Sequence, residues 1–316
     1  MKILIRWILL ALLPISGYSG ERGPAVPDYP ADKVADQVHV IHGPLDSPNP
    51  VNQGFMNNPG IIVTTAGVVL VDPGASVQSG EMVLRVVKQL SDQPVVAVFN
   101  THIHGDHWLG NQAVRAAWPD AAIYGHPNMI ELIENGEGKF WVALMEQLTE
   151  GKTKGTTVVP PNKAVGNGNA IKVGGHTFRI HHYGPAHTTS DIMIEVVEPG
   201  VVFLGDNVLS GRIPRINEGS IKGNIKTCDE IIKTGASVYV PGHGKTGGRV
   251  LVDVMHTWFS TIYSNVERLY EEGQSDFEMK AEISAQLQDF SSWIGFDEQL
   301  GKHISFAYLQ IEADAF

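Results

Sequence analysis

Cysteine is nearly absent. The chain has one, Cys228, in 316 residues. That excludes an internal disulfide framework and any cysteine-rich zinc module. Positive charge is also scarce. Lys plus Arg number 23 against 34 Asp plus Glu, a formal net charge of −11. This acidic balance argues against nucleic acid, or an anionic membrane surface, as the main partner. No 20–50-residue repeat and no low-complexity tract interrupts the chain, and proline is missing from residue 249 onward. The one apolar run, Trp7 to Ile15, is too short for a stable membrane anchor. With 43% hydrophobic and 18% charged residues, the composition is that of a chain with a packed core rather than a disordered one.

That short apolar run has the layout of an export signal. Lys2 and Arg6 precede it, and Ser16-Gly-Tyr-Ser-Gly20 offers small residues for cleavage. We therefore expect residues 1–19 to be a signal peptide and the mature protein to be periplasmic or secreted, without stable membrane insertion. Residues 20–36, rich in proline and glycine, read as a linker. From residue 37 short β-branched runs follow: 38–41, 61–64, 68–71 and 95–99, then 171–173, 177–182, 192–197, 201–204 and 238–240. Close spacing within 61–71, 171–182 and 192–204 predicts antiparallel pairs. Helical periodicity marks residues 79–90, and 127–150 with a break at Gly136 and Gly138. Residues 249–272, 276–288 and 298–314 read as terminal helices. Their aromatic side chains either pack on the rest of the fold or form a dimer face. The fold class is thus α/β (α+β), with residues 37–250 as the principal domain and 251–316 as a helical extension.

The chain carries 13 histidines, and their positions matter most. Asn100-Thr-His-Ile-His-Gly-Asp-His-Trp-Leu-Gly110 follows a strand candidate and places His102, His104, Asp106 and His107 on one loop. Imidazole nitrogen and carboxylate oxygen are ordinary zinc ligands, and a catalytic metal must keep an open position. Four donors on one loop exceed what one such ion takes, so two ions are the better physical reading. Three more donors each lie just past a strand candidate: His187 in Gly184-Pro-Ala-His-Thr188, Asp206 in Leu204-Gly-Asp206, and His243 in Pro241-Gly-His-Gly244.

These segments, with the Leu70-Val-Asp-Pro-Gly74 turn, resemble the metallo-β-lactamase superfamily over roughly residues 37–250. The resemblance implies a four-layer αββα sandwich with the metals at one edge. It implies His102, His104 and His187 on a first zinc, Asp106, His107 and His243 on a second, and Asp206 bridging them. Asp72 is then either a residue that orients a ligand or a plain turn aspartate. The seven-donor set is similar to that of glyoxalase II, lactonases and exported relatives. It departs from β-lactamases that carry Cys or Ser where Asp206 stands, and from flavodiiron proteins that carry Glu where His104 stands. The implied activity is hydrolysis of an ester, thioester, lactone or related carbonyl compound by a hydroxide held between the metals, with Asp106 orienting it and passing a proton. The alternatives are β-lactam hydrolysis within the same fold, and a mononuclear iron persulfide dioxygenase. Iron and manganese stay open beside zinc. The partner is a small-molecule substrate and not nucleic acid, and the protein is a monomer or homodimer.

Three further readings stay open at this level. Phe55 and Met56 are either an apolar lid or core residues. Trp108 and Trp141 line the pocket or pack inside. Arg212 and Arg215 receive an anionic substrate group or are surface charges. His126 is expected to cap a helix or lie on the surface, His181 and His182 to be structural, and Cys228 to be buried and inert.

Overall fold

The computed structural model describes residues 22–315. The expected signal peptide at residues 1–19 lies outside them, as does Phe316. Among the described residues, twelve strands form two sheets. The first sheet runs in chain order: β1 (Ala31–Ala35), β2 (Val38–Ile41), β3 (Gly60–Thr64), β4 (Gly67–Val71), β5 (Val95–Phe99), β6 (Ala122–Gly125) and β7 (Lys163–Ala164). The second comprises β8 (Ala170–Val173), β9 (His176–His181), β10 (Met193–Val196), β11 (Val201–Phe203) and β12 (Val238–Val240), stacked in the order β12-β11-β10-β9-β8. Nine α-helices accompany them among the described residues: α1 (Val77–Leu90), α2 (Gly105–Trp108), α3 (Asn111–Ala117), α4 (Pro127–Leu132), α5 (Gly138–Leu148), α6 (Ile221–Ile231), α7 (Val250–Glu271), α8 (Asp276–Gln286) and α9 (Phe296–Asp314).

Strand alternation builds the layers. In β4, Val69 and Val71 point between the sheets, where they meet Phe178, Ile194 and Phe203. Val68 and Leu70 point the other way, onto Met82, Val83, Val86 and Val87 of α1. The second sheet likewise turns Val202 and Tyr239 outward, onto Trp258, Phe259 and Ile262 of α7 and Leu300 and Ile304 of α9. The result is the αββα sandwich that the resemblance implies, with the three terminal helices closing its outer face. Each fully buried Leu, Val or Phe side chain contributes about 1.5–3 kcal/mol.

The three expected hairpins are antiparallel: β3–β4, β8–β9 and β10–β11. The pairings β4–β5, β5–β6, β6–β7 and β11–β12 are parallel. Three details depart from the sequence reading. The expected linker contains β1, which pairs with β2 from Ala31 opposite Ile41 onward. Helix α1 begins at Val77, two residues earlier than its periodicity suggests, because Ser76 and Ser79 form a reciprocal capping box. Between α4 and α5 only Gly136 breaks the helix, at φ 120°. Gly138 is helical and buried; a Cβ there would press on Ile133 and Val158 at 2.9 Å. Its lack of a side chain serves packing, not a turn.

Candidate metal centre

All the expected donors lie at one edge of the sandwich, just past the C-terminal ends of strands. Asp72 follows β4, and the 102–107 segment follows β5. His187 sits in the β9–β10 connection. Asp206 follows β11 and His243 follows β12. Parallel pairing of β4 with β5 and of β11 with β12 explains the coincidence, because parallel neighbours present their C-terminal ends at the same edge. Backbone bonds lock the segments together. Gly242 N donates to Gly205 O at 2.8 Å, and the Asn58 side chain donates to Pro241 O and Gly244 O at 2.9 and 2.7 Å. Gly242 must be glycine, since any Cβ would overlap Asp206 Oδ1.

The donors gather into two groups. One holds His102, His104, His187 and Asp206, the other Asp106, His107 and His243; within each, the ligand atoms lie within 4.8 Å of one another. His187 Nε2 and His104 Nδ1 are 2.9 Å apart, and His107 Nε2 and His243 Nε2 are 3.3 Å apart. Asp206 reaches both groups. Its Oδ2 is 3.6 Å from His187 Nε2 and 3.3 Å from His243 Nε2, while Oδ1 is 3.2 Å from His107 Nε2. Buried polar atoms ordinarily find partners, yet His102 Nε2 and Asp206 Oδ1 have no hydrogen-bond partner among the described residues. Convergent imidazole nitrogens and carboxylate oxygens with such vacant lone pairs fit divalent metal ions.

A supporting ring of hydrogen bonds orients these ligands. Asp72 is both a turn residue and an orienting one. It sits at φ 51°, and its carboxylate accepts from His107 Nδ1 at 2.8 Å, from Thr101 Oγ1 at 2.7 Å and from Thr101 N at 2.8 Å. Thr101 Oγ1 is also 2.9 Å from His102 Nδ1. His243 Nδ1 donates to Met56 O at 2.8 Å. Asp191, buried, accepts from Thr188 N and Oγ1 at 2.8 and 2.7 Å and so braces the His187 loop. The sequence reading missed Thr101, Asp191 and the Met56 carbonyl. For Thr101 the only local signal is a small polar residue beside a motif histidine, and Asp191 stands at the end of the His187-Thr-Thr-Ser-Asp191 turn.

Charge balance follows burial. Desolvation above all pulls His102, His104 and His187 down, to about 4 for His104 and about 3 for His187. Burial also opposes protonation of His107 and His243, but the neighbouring Asp206 and Asp106 carboxylates outweigh it. They hold His243 at about 9 and His107 well above the usual range. Burial would raise Asp106 and Asp206, yet the His107 and His243 imidazoles keep both carboxylates well below the ordinary value.

The centre opens into a cleft of about 320 Å³. The paired alternatives resolve residue by residue. Phe55 is core, 4.8 Å from Tyr29 ring to ring, whereas Met56 lines the cleft. Trp108 is fully buried and donates to Ile103 O, whereas Trp141 lines the cleft with its ring 5.0 Å from that of His104. Arg212 and Arg215 also line it. His126 caps α4 through Asn128 N and stacks on His182. His181 bonds Tyr183 Oη and Glu195, away from the centre. Cys228 is buried, its thiol pushed up to about 12 by desolvation.

Comparison with known proteins agrees with this architecture. A hydroxyacylglutathione hydrolase of Synechococcus sp. is 27% identical over 167 residues, which is 53% of this chain and 54% of that protein. The chain spans about half the length of the curated relatives it matches. A sec-alkylsulfatase from Pseudomonas sp. superposes with a TM-score of 0.67 at 18% identity, covering 89% of this chain and 50% of that one. A metallo-beta-lactamase from Pontibacter korlensis gives 0.57 at 19%, covering 73% and 98%. At these identities the structural likeness is one of fold. The model of the metallo-beta-lactamase superfamily matches residues 52–243, more than half of the chain, and contains every donor of the centre; the chain belongs to the metallo-beta-lactamase superfamily.

Proposed function

We propose that this protein is an exported dinuclear zinc hydrolase of a small ester, thioester, lactone or related carbonyl compound. One observation carries the reading: two donor groups share Asp206 at the floor of an open cleft. His102, His104 and His187 would hold one ion, Asp106, His107 and His243 the other, and Asp206 both. Bound there, zinc supplies Lewis acidity that polarises a carbonyl oxygen and brings the ionisation of water from a pKa of about 15.7 to about 7.

The chain's own residues do the rest. Asp106, with Oδ2 3.2 Å from His243 Nε2, is ionised and accepts the proton of a water it orients. Asp72 and Met56 O fix the His107 and His243 rings by their Nδ1 atoms. Met56, Trp141 and Leu209 narrow the cleft and limit water around the reacting groups. No serine or cysteine nucleophile is required. Similarity to relatives named for hydrolysing hydroxyacylglutathione supports the reading. Export rests on residues 1–19, and a homodimer would rest on the aromatic side chains of the terminal helices.

The test is metal content measured together with turnover, on protein purified without added metal. Two zinc per chain with hydrolysis of thioester, lactone or β-lactam reporters is expected, and the best reporter selects the branch. Asp106→Asn and Asp206→Ala should each abolish turnover with the circular dichroism unchanged. One iron per chain, no hydrolysis and oxygen uptake on a persulfide would overturn the assignment in favour of a dioxygenase.

A further inference from the structure

A second cleft, of about 620 Å³, lies beside β12 and is bordered by Asp32, Val34, His42, Val238, Lys245 and Thr246. None of the residues that line it lines the cleft over the metal donors. Its shape follows from the chain after His243, which turns back along β12. Tyr239 N donates to Gly247 O at 2.8 Å, and Gly247 N donates to Tyr239 O at 3.1 Å. That pairing holds Thr246 in place against His42, the residue that follows β2.

Three side chains from three segments meet there in a fixed order. His42 Nδ1 is 3.0 Å from Asp32 Oδ2, and His42 Nε2 is 2.9 Å from Thr246 Oγ1. A carboxylate only accepts, so Nδ1 carries the ring hydrogen. Nε2 is then the nitrogen with the free lone pair, and Thr246 Oγ1 donates to it. Thr246 N donates to the same atom at 3.4 Å, which fixes the tautomer a second time. Among the described residues Asp32 has no Lys or Arg within salt-bridge distance, so its charge faces His42. A hydroxyl on the lone-pair nitrogen of an imidazole, whose other nitrogen is held by a carboxylate, is the arrangement of an activated oxygen nucleophile. The group is reachable: Thr246 is half-buried and the His42 side chain is 23% exposed. Lys245 borders the same cleft, exposed and without an ion pair among the described residues.

We infer that Thr246 is the nucleophile of a second, metal-independent site, with His42 as its base, Asp32 orienting His42, and a small carboxylic ester as substrate. Thr246 Oγ1 adds to the ester carbonyl carbon while its proton passes to His42 Nε2. Lys245 supplies positive charge beside the developing oxyanion. The bond from that carbon to the alcohol oxygen breaks, and His42 gives the proton to the leaving oxygen. Water then cleaves the acyl-Thr246 ester by the same route, which releases the carboxylic acid and restores the hydroxyl. The sequence consumes only ester and water. It does not depend on the reading of the metal centre.

The test is covalent labelling of the full chain with a molar excess of an alkyl fluorophosphonate, whose phosphorus stands in for the ester carbon and releases fluoride. Peptide mass spectrometry identifies the modified residue, so ester turnover at the metal centre does not enter the readout. One adduct per chain, on Thr246, is expected. Thr246→Val should abolish it and Thr246→Ser should retain it on the new hydroxyl. His42→Gln should slow labelling at least ~100-fold, and Asp32→Asn at least ~10-fold. No adduct at position 246 in either the wild type or Thr246→Ser overturns the site. An adduct that forms at the same rate in His42→Gln also overturns it, and leaves the three side chains as a tie between the first sheet and the His243 loop.

Discussion

Asp72 shows how one side chain can hold a whole site in register. It takes a left-handed backbone conformation and binds three donors, two from Thr101 and one from His107. Asp72→Asn keeps the backbone tolerance but places an N–H₂ where a donor already points. The His107 ring then loses its orientation. Metal affinity should fall about 10–100-fold with the fold intact, as read by competition with a chromophoric chelator. Unchanged affinity would reduce Asp72 to a turn residue. The donor cluster was legible in the sequence because histidine and aspartate at that density in one loop have few other uses. The orienting partners were not, because Thr101 and the Met56 carbonyl look like any other threonine or backbone group until the chain folds.

Among the elements, the α4–α5 junction is the most informative. Gly136 sits at φ 120° and a Cβ there would point into open space, so the obstacle to a side chain is the backbone conformation itself. Gly136→Ala should cost about 1–2 kcal/mol and lower the melting temperature without a steric clash. A neutral result would show that α5 can reset its angle freely. Periodicity located α5, including Trp141, Leu144 and Leu148, but could not say which side of it meets the core. Met145 faces inward and Phe140 stands in solvent beside the cleft. The same ambiguity separated Trp108 from Trp141 and Phe55 from Met56. Adjacent or similar residues went to opposite environments because the partner surface, not the local pattern, assigns a face. Strand β1 escaped detection for a related reason: Ala31–Ala35 is a polar, half-exposed edge, and it becomes a strand only by pairing with β2.

At the scale of the molecule, the terminal helices are structural members of the sandwich. Trp258 is fully buried between the second sheet and α9, against Phe290 and Phe296. Trp258→Ala should destabilise the whole protein by about 3–5 kcal/mol in denaturant titration; a loss below ~1 kcal/mol would mean the helices are an appendage. Trp258 Nε1 donates to His303 Nδ1 at 3.0 Å across the α7–α9 interface. Burial holds His303 at about 3 rather than 6.5. Between those values the unfolded chain binds the extra proton, so this contribution is complete above pH 6.5 and is lost as the pH falls toward 3. The stability gap between wild type and His303→Gln should shrink by up to about 1.4 kcal/mol per unit below pH 6.5. A gap independent of pH would show that His303 is protonated without loss of packing.

The sequence by itself determined the chemistry of the donors and the strand ends that carry them. Those properties are local: a motif on one loop, glycine at tight turns, alternation within a strand. Only the tertiary structure decided that residues 72, 102–107, 187, 206 and 243 share one edge, since parallel pairing of β4 with β5 and of β11 with β12 joins segments whose local patterns do not mention each other. It also decided which aromatic side chain meets the core and that Arg212 and Arg215 meet at the Ser47 hydroxyl, because burial and charge pairing are properties of surfaces formed by several segments at once.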